Sequence, residues 1–375
     1  MSKTPKHKLL SVSSSRADVN ILRPVWDALI AADKIELHLF LTGMHMAHGG
    51  PEPDLPAGPR VHRGGADMGG RRESAGAAMG AITVATSELL SQLNPDGMLV
   101  IGDRLDMVPA ALAAMPFNLP IAHLHGGEET KGAIDNRVRH ALSQIATLHL
   151  ASSQGAQDRL VAMGIPADEV LVTGAPGLDT LLNTPEIALQ SFSETVGLPA
   201  NLPFVLLTVH PETAGADPIA PLDACLAGLE AWHGAVLVTA PNSDPRAAEI
   251  RARLEREAAE QANWAFVDTL GRSLFPNALR HAAFMLGNSS SGLIEAGLFG
   301  LPVIDVGDRQ MGRERGRNVI HTASDSEAVA RAIGGLESGG VCPYRYNPGT
   351  PYGDGRSGPR IARAIEDWLN RVASE

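Results

Sequence analysis

Short apolar runs ending in glycine- or serine-rich polar loops, each followed by apolar residues at helical spacing, recur along most of this chain. Residues 35–41 alternate with period two (Ile-Glu-Leu-His-Leu-Phe-Leu), as a strand does. Before them, Ile21, Leu22, Val25 and Leu29 repeat at helical spacing. The same rhythm runs through strands at 98–101, 120–123, 147–151 and 170–173, with helical segments at 75–93, 134–145 and 154–163. A second series of strands follows at 204–209, 235–239, 265–267, 284–286 and 303–306. The stretch 46–72, rich in Gly, Pro and Arg, reads as one long connection. Strands alternating with helices in two series predict an α/β chain with two doubly wound, Rossmann-like parallel sheets. The expected domains are 1–182 and 203–360, joined by a polar, proline-bearing crossover, with the C-terminal helix 361–375 a candidate to pack back on the first domain.

Composition narrows the function classes. The chain has 375 residues, with 31 Lys plus Arg against 42 Asp plus Glu, for a formal charge of −11. That balance opposes a general nucleic-acid surface, while leaving room for a local anion pocket. Cys225 and Cys342 are the only two cysteines, too few for a disulfide scaffold or an ordinary zinc cluster. No apolar stretch has the length of a signal peptide core or a membrane span, so a cytoplasmic protein is expected.

In open α/β sheets ligands bind beyond the carboxyl ends of the strands. Five loops there carry chemistry. Ser13-Ser-Ser-Arg16-Ala-Asp18-Val-Asn20 offers helix-start amides beside an arginine, an anion site or else a plain serine or aspartate N-cap. Gly102-Asp103-Arg104 sets a carboxylate beside a guanidinium, although Asp103 has the ordinary alternative of capping a helix. The densest loop is His123-Leu-His125-Gly-Gly-Glu128, followed by Asp135-Asn136 and Arg139-His140. His123 and His125, two apart, would share a strand face, which raises and only weakly supports a metal. Asp135 and Arg139 stand at i, i+4, where a simple ion pair is expected. His210-Pro211 closes the strand at 204–209. Gly287-Asn288-Ser-Ser-Ser-Gly292 then opens a helix, as phosphate-binding turns do, with Glu295 expected in its first turn. The spacing G-x-G-x-x-G at 353–358 follows no strand and so fails as a dinucleotide fingerprint.

Taken together these motifs resemble the hydrolysing UDP-N-acetylglucosamine 2-epimerases, in particular the branch that supplies sialic, legionaminic and related nonulosonic acids. The landmarks, spread over nearly the whole chain, are Ser15-Arg-Ala17, Leu41-Thr-Gly-Met-His45, Gly102-Asp-Arg104, His123-Leu-His-Gly-Gly-Glu128, Gly132-Ala-Ile-Asp135 and Arg139-His140. Gly174-Ala-Pro-Gly-Leu-Asp179, His210-Pro211, Pro241-Asn242, the serine turn, Gly307-Asp-Arg-Gln310 and Tyr352-Gly-Asp-Gly355 continue the set. The resemblance implies a GT-B-like fold with the two domains facing a central cleft, no cofactor, no metal, and a homodimer or higher homo-oligomer. It implies release of UDP and N-acetylmannosamine from UDP-N-acetylglucosamine through a 2-acetamidoglucal. The alternative is the same reaction on UDP- or GDP-2,4-diacetamido-2,4,6-trideoxyglucose, and a more remote one is glycosyl transfer. On the same basis Asp103, Glu128 and Asp135 would move protons at C2, and His210 would act at the leaving diphosphate. Some relatives carry a glutamate where this chain has His125, so His125 and Glu128 are both candidates for that role. Arg16, Arg104, Ser289 and Ser290 would bind phosphates, Glu295 the ribose, and Arg309, Asn242 and the backbone near Leu270 the nucleotide. Asn20, His45 and Arg139 complete the expected substrate contacts.

Overall fold

The computed structural model describes residues 6–47, 52–69, 72–129, 135–212, 217–242, 246–338 and 349–374. The Gly132-Ala-Ile part of one landmark and Cys342 lie outside them. The chain divides into two compact units, Met1–Thr180 with Tyr352–Glu375, and Leu181–Pro351.

The first unit is a seven-stranded sheet built from β1 (His7–Ser13), β2 (Ile35–Leu41), β3 (Arg60–Arg63), β4 (Gly97–Ile101), β5 (Ile121–Leu124), β6 (Leu148–Ala151) and β7 (Val170–Val172). Their spatial order is β3-β2-β1-β4-β5-β6-β7, with every pairing parallel. β3 lies inside the stretch 46–72 that the sequence presents as a connection. It is an edge strand of Arg, Val, His and Arg with Val61 exposed, and charge on an edge hides it from any apolar pattern. β2, read from its alternation as a strand, is buried along most of its length. His38 is buried, with its ring 3.0 Å from His62 Nε2 and 3.1 Å from Glu36 Oε1.

The helix Ser357–Val372 belongs to this first unit, which begins again at Tyr352, ahead of the expected boundary at 360. Its Trp368 and Leu369 lie directly over Gly97, where a Cβ would come within 2.9 Å and 2.8 Å of them. The helix start is closed by a carboxylate from the chain itself: Ser357 N–H and Gly358 N–H donate to the two Asp179 oxygens at 2.8 and 2.7 Å. The glycines at 353–358 therefore serve a turn and a capped helix.

The second unit is a six-stranded parallel sheet of β8 (Phe204–Thr208), β9 (Ala235–Thr239), β10 (Trp264–Val267), β11 (Phe284–Gly287), β12 (Val303–Val306) and β13 (Val319–Thr322), in the order β10-β9-β8-β11-β12-β13. Along β8, Val205 and Leu207 enter one core while Phe204 and Leu206 enter another on the opposite face. Burial on both faces is why such strands read as unbroken apolar runs. No helix among the described residues is long and apolar enough to cross a membrane.

In each sheet the winding reverses once, between β1 and β4 in the first unit and between β8 and β11 in the second. Ligand crevices form beyond strand ends at such switch points. Ser13–Arg16 and Gly102–Arg104 flank the first, and His210 and Asn288–Ser290 the second.

Candidate active site

In the first unit the acids gather around one buried guanidinium. Arg139, 3% exposed, stands in the helix Asp135–Ile145. Its Nη2 donates to Asp103, while its Nη1 donates to the Glu128 carbonyl at 2.7 Å and to Asn136 Oδ1 at 2.9 Å. Arg139 thus ties the loop after β4 to the loop after β5, and it acts on the acids rather than as an open anion ligand. Behind it, fully buried His123 donates from Nε2 to the Gly102 carbonyl at 2.9 Å, fixing the peptide that carries Asp103. Burial drives the His123 pKa down to about 3, which keeps that ring neutral.

His125 does not share a strand face with His123. β5 ends at Leu124, and His125 takes a left-handed φ of 65°, uncommon for a residue with a side chain. That turn brings its Nδ1 to 2.5 Å from Glu128 Oε1. Its Nε2 is buried with no hydrogen-bond partner among the described residues. Burial pushes Glu128 up, but the charge of His125 and the hydrogen bond to it prevail and hold the carboxyl at about 2. A carboxylate held that low is a weak base at neutral pH, and it is tied to His125 by a short hydrogen bond. Asp135 behaves oppositely: burial and then the charge of Asp103 raise its pKa, against Arg139 and Arg104. Two neighbouring carboxylates in unlike surroundings are how a site divides acid and base roles. Among the described residues no group of three or more His, Cys, Asp or Glu is placed to hold a metal.

At the first switch point the expected anion site is already filled. The Asp18 carboxylate accepts from Ser14 N–H at 2.7 Å, Ser15 N–H at 2.9 Å and the Ser14 hydroxyl at 3.0 Å, while Ser15 caps the helix Arg16–Ala32 in a capping box. This carboxylate occupies the amides that a phosphate would use. Arg16 and Asn20 are exposed on the same helix. Arg104 spans the switch point, donating to Ser14 Oγ at 3.0 Å and Asp106 Oδ2 at 3.1 Å. His45 Nε2 lies 3.0 Å from Ser13 Oγ, and burial lowers its pKa.

In the second unit Asn288, hidden among the serines, is the organising residue that sequence reasoning missed. Its Oδ1 accepts from His210 N–H at 2.7 Å, and its Nδ2 donates to the His210 carbonyl at 2.9 Å. The Asn242 backbone N–H donates to His210 Nδ1 at 3.1 Å. Gln310, likewise missed, donates to the Asn288 carbonyl at 2.9 Å, and Arg309 reaches the same oxygen at 3.4 Å. Ser289 caps the five-residue helix Ser290–Ile294. That shortness places Glu295 at the helix end rather than in its first turn. Burial raises the Glu295 pKa, with the Ser291 hydroxyl pulling it partway back, and Oε2 is buried without a hydrogen-bond partner among the described residues. The Leu270 side chain is core, leaving only its backbone, at the start of the helix Gly271–His281, for any ligand. A cavity of about 740 Å³ lined by Leu119, Ile145, Thr147 and Trp368 sits at the amino ends of β5 and β6, away from all these groups.

The buried histidines give a stability prediction. His123 and His149 titrate near 3 and 4, below the ordinary 6.5, because burial penalises the imidazolium. As pH falls from 6.5 the unfolded chain takes up protons that the folded chain refuses. Stability is therefore full above about 6.5 and lost below it, at up to about 1.4 kcal/mol per pH unit for each group. Denaturant midpoints at pH 7 and pH 5 should lie closer together in His149→Leu than in the parent; an equal gap would show that His149 is not refusing the proton.

The family model described as UDP-N-acetylglucosamine 2-epimerase matches residues 27–366. The chain is 32% identical, over 96% of its length and 95% of the relative's, to a Legionella pneumophila UDP-N,N'-diacetylbacillosamine 2-epimerase (hydrolyzing). It is 30% identical, over 87% of its length and 86% of the relative's, to a Neisseria meningitidis UDP-N-acetylglucosamine 2-epimerase. Among solved structures, a Neisseria meningitidis UDP-GlcNAc 2-epimerase bound to UDP-GlcNAc superposes with a TM-score of 0.75 at 19% identity, covering 96% of this chain and 100% of that one. A Listeria monocytogenes structure described as a UDP-N-acetylglucosamine 2-epimerase gives 0.76 at 18% identity, covering 98% of each chain. These two structures share the doubly wound architecture, and the family match, which begins after β1, takes in the Asp103–Arg139 cluster and the His210–Asn288 cluster. The chain belongs to the UDP-N-acetylglucosamine 2-epimerase family.

Proposed function

We propose that this chain is a hydrolysing 2-epimerase of a UDP-linked 2-acetamido sugar. The observation that carries the reading is the cluster of Asp103, Asp135 and the His125–Glu128 pair around Arg139, in a chain of this family. A C2–H bond is a very weak acid, so its proton leaves only as the C1–O bond breaks and its electron pair goes to the diphosphate. Asp103 and Asp135, the latter with its pKa raised by burial and by the charge of Asp103, take the C2 proton and handle the glycal. His125, braced by Glu128, is the second proton carrier, standing where some relatives have a glutamate. His210 with Ser289, Ser290, Arg309 and Asn242 serves the diphosphate and nucleotide, Glu295 the ribose, and Arg16 and Arg104 add positive charge. Water then adds at C1 while a proton returns to C2 on the opposite face, giving the free 2-epimer and UDP with no other co-reactant.

For the sugar, similarity to the Legionella enzyme over nearly the whole chain favours a 4-acetamido-6-deoxy substrate, as in legionaminic-type acid synthesis. Similarity to the Neisseria enzyme supports UDP-N-acetylglucosamine as the second reading. Incubation of each in D₂O is expected to release UDP and a manno-configured sugar carrying deuterium at C2. UDP released without an epimerised sugar, or turnover only with an added sugar acceptor, would overturn the reading in favour of hydrolysis or transfer.

A further inference from the structure

We propose that Asn288 is a positioning residue that fixes His210 as the neutral tautomer with its proton on Nε2, so that His210 meets the departing diphosphate as a hydrogen-bond donor. The inference rests on the function proposed above and assigns a role to a residue outside the expected set. Asn288 is fully buried, and both ends of its side-chain amide are spent on one residue: Oδ1 on His210 N–H at 2.7 Å and Nδ2 on the His210 carbonyl at 2.9 Å. This two-point bracket holds the backbone just past β8 as a neighbouring strand would. Its own N–H donates to the Thr208 carbonyl at 3.2 Å, so main chain and side chain grip the same loop. Its carbonyl accepts from Gln310 Nε2 at 2.9 Å and Arg309 Nη1 at 3.4 Å. One buried residue, through its side-chain amide and its backbone, therefore sets His210, the serine turn and the loop after β12 relative to one another.

The tautomer follows from the third contact. A backbone N–H only donates, and Asn242 N–H donates to His210 Nδ1 at 3.1 Å. In the neutral ring Nδ1 must then carry the lone pair and Nε2 the proton. A ring held that way offers a donor to negative charge growing on the leaving oxygen, the kind of preorganised stabilisation that favours a transition state.

The test uses the whole protein labelled with ¹⁵N-histidine, His210 being assigned by its loss in His210→Gln. At neutral pH its long-range spectrum should show an unprotonated Nδ1 and a protonated Nε2; a protonated Nδ1 would overturn the proposal without any variant having to fold. Asn288→Asp keeps an acceptor for His210 N–H but sets a second oxygen against the His210 carbonyl. It should lower kcat by about 10- to 100-fold, the usual effect of losing a residue that orients a functional group, and should blur the tautomer signature. His210→Gln, whose side-chain N–H stands in for Nε2–H, should retain more kcat than His210→Leu; equal losses would remove the donor role. A parent protein that neither binds UDP in calorimetry nor releases it from any UDP-2-acetamido sugar sinks the function itself. A parent that turns over while Asn288→Asp keeps full kcat sinks only this inference.

Discussion

Asp103→Asn is expected to lower kcat by at least ~100-fold, the lower range for a proton-transfer group, and to leave UDP affinity unchanged. Asparagine retains an oxygen for Arg139 Nη2, so the tie between the loops after β4 and β5 survives, but it has no carboxylate to accept a proton. The substitution carries a second, independent signature. After burial, the charge of Asp103 is the next cause raising the Asp135 pKa. With that charge gone, Asp135 stays ionised to lower pH, and the acidic limb of kcat/KM shifts downward in the variant's residual activity. Steady-state rates across pH, with UDP binding by calorimetry, read all three quantities. An equal loss of rate and UDP affinity would place Asp103 in binding, and an unmoved acidic limb would detach it from Asp135. Glu128→Gln keeps an oxygen facing His125 but removes the carboxylate charge that pairs with it, and is expected to cost at least ~100-fold as well.

How much of this was legible beforehand follows from where each signal resides. Parallel strands buried on both faces must be apolar throughout, so β4 and β8 stand out in the sequence, and the loops after them are located with no structural help. β3 carries its information at an edge, where charge is tolerated, and leaves no pattern. The pairing of His123 with His125 failed because period-two counting assumes an extended chain, and the chain turns left-handed at His125. Of the two readings open at Ser13–Arg16, the N-cap is the one the fold realises at the amides: serine-rich helix starts look alike whether or not a carboxylate from the same helix fills them, and Asp18 does. Arg139 was visible as a charge near Asp135, yet its reach to Asp103 depends on two loops, after β4 and at the start of a helix, converging in space. Asn288 was masked by composition: a small polar residue before three serines reads as one more member of a phosphate turn, and only the fold shows its amide spent on His210.

Gly287→Ala is expected to destabilise the second unit by roughly 3–5 kcal/mol, against totals of about 5–15 kcal/mol for whole domains. Two causes coincide at this position. Gly287 has φ of +131°, a conformation side chains rarely adopt, and a Cβ there would fall 2.0 Å from the Thr208 carbonyl oxygen and 2.7 Å from its carbon. Both atoms are backbone, so no rotamer change relieves the overlap. Thr208 is the register partner of Gly287 across β8 and β11, and its carbonyl also accepts from Asn288 N–H at 3.2 Å, so that strand has little freedom to retreat. The close approach of these two strands is what delivers His210 and Asn288 to each other at the switch point. Loss of UDP binding should therefore accompany the fall in denaturant midpoint. Gly334→Ala is the control: it lies exposed in the helix Ser326–Ser338 with nothing within 4 Å of a built Cβ, and should raise stability by about 0.5–1 kcal/mol. If Gly287→Ala melted with the parent and kept its UDP affinity, the seam between β8 and β11 would be free to open, and a rigid bracket around His210 could not depend on it.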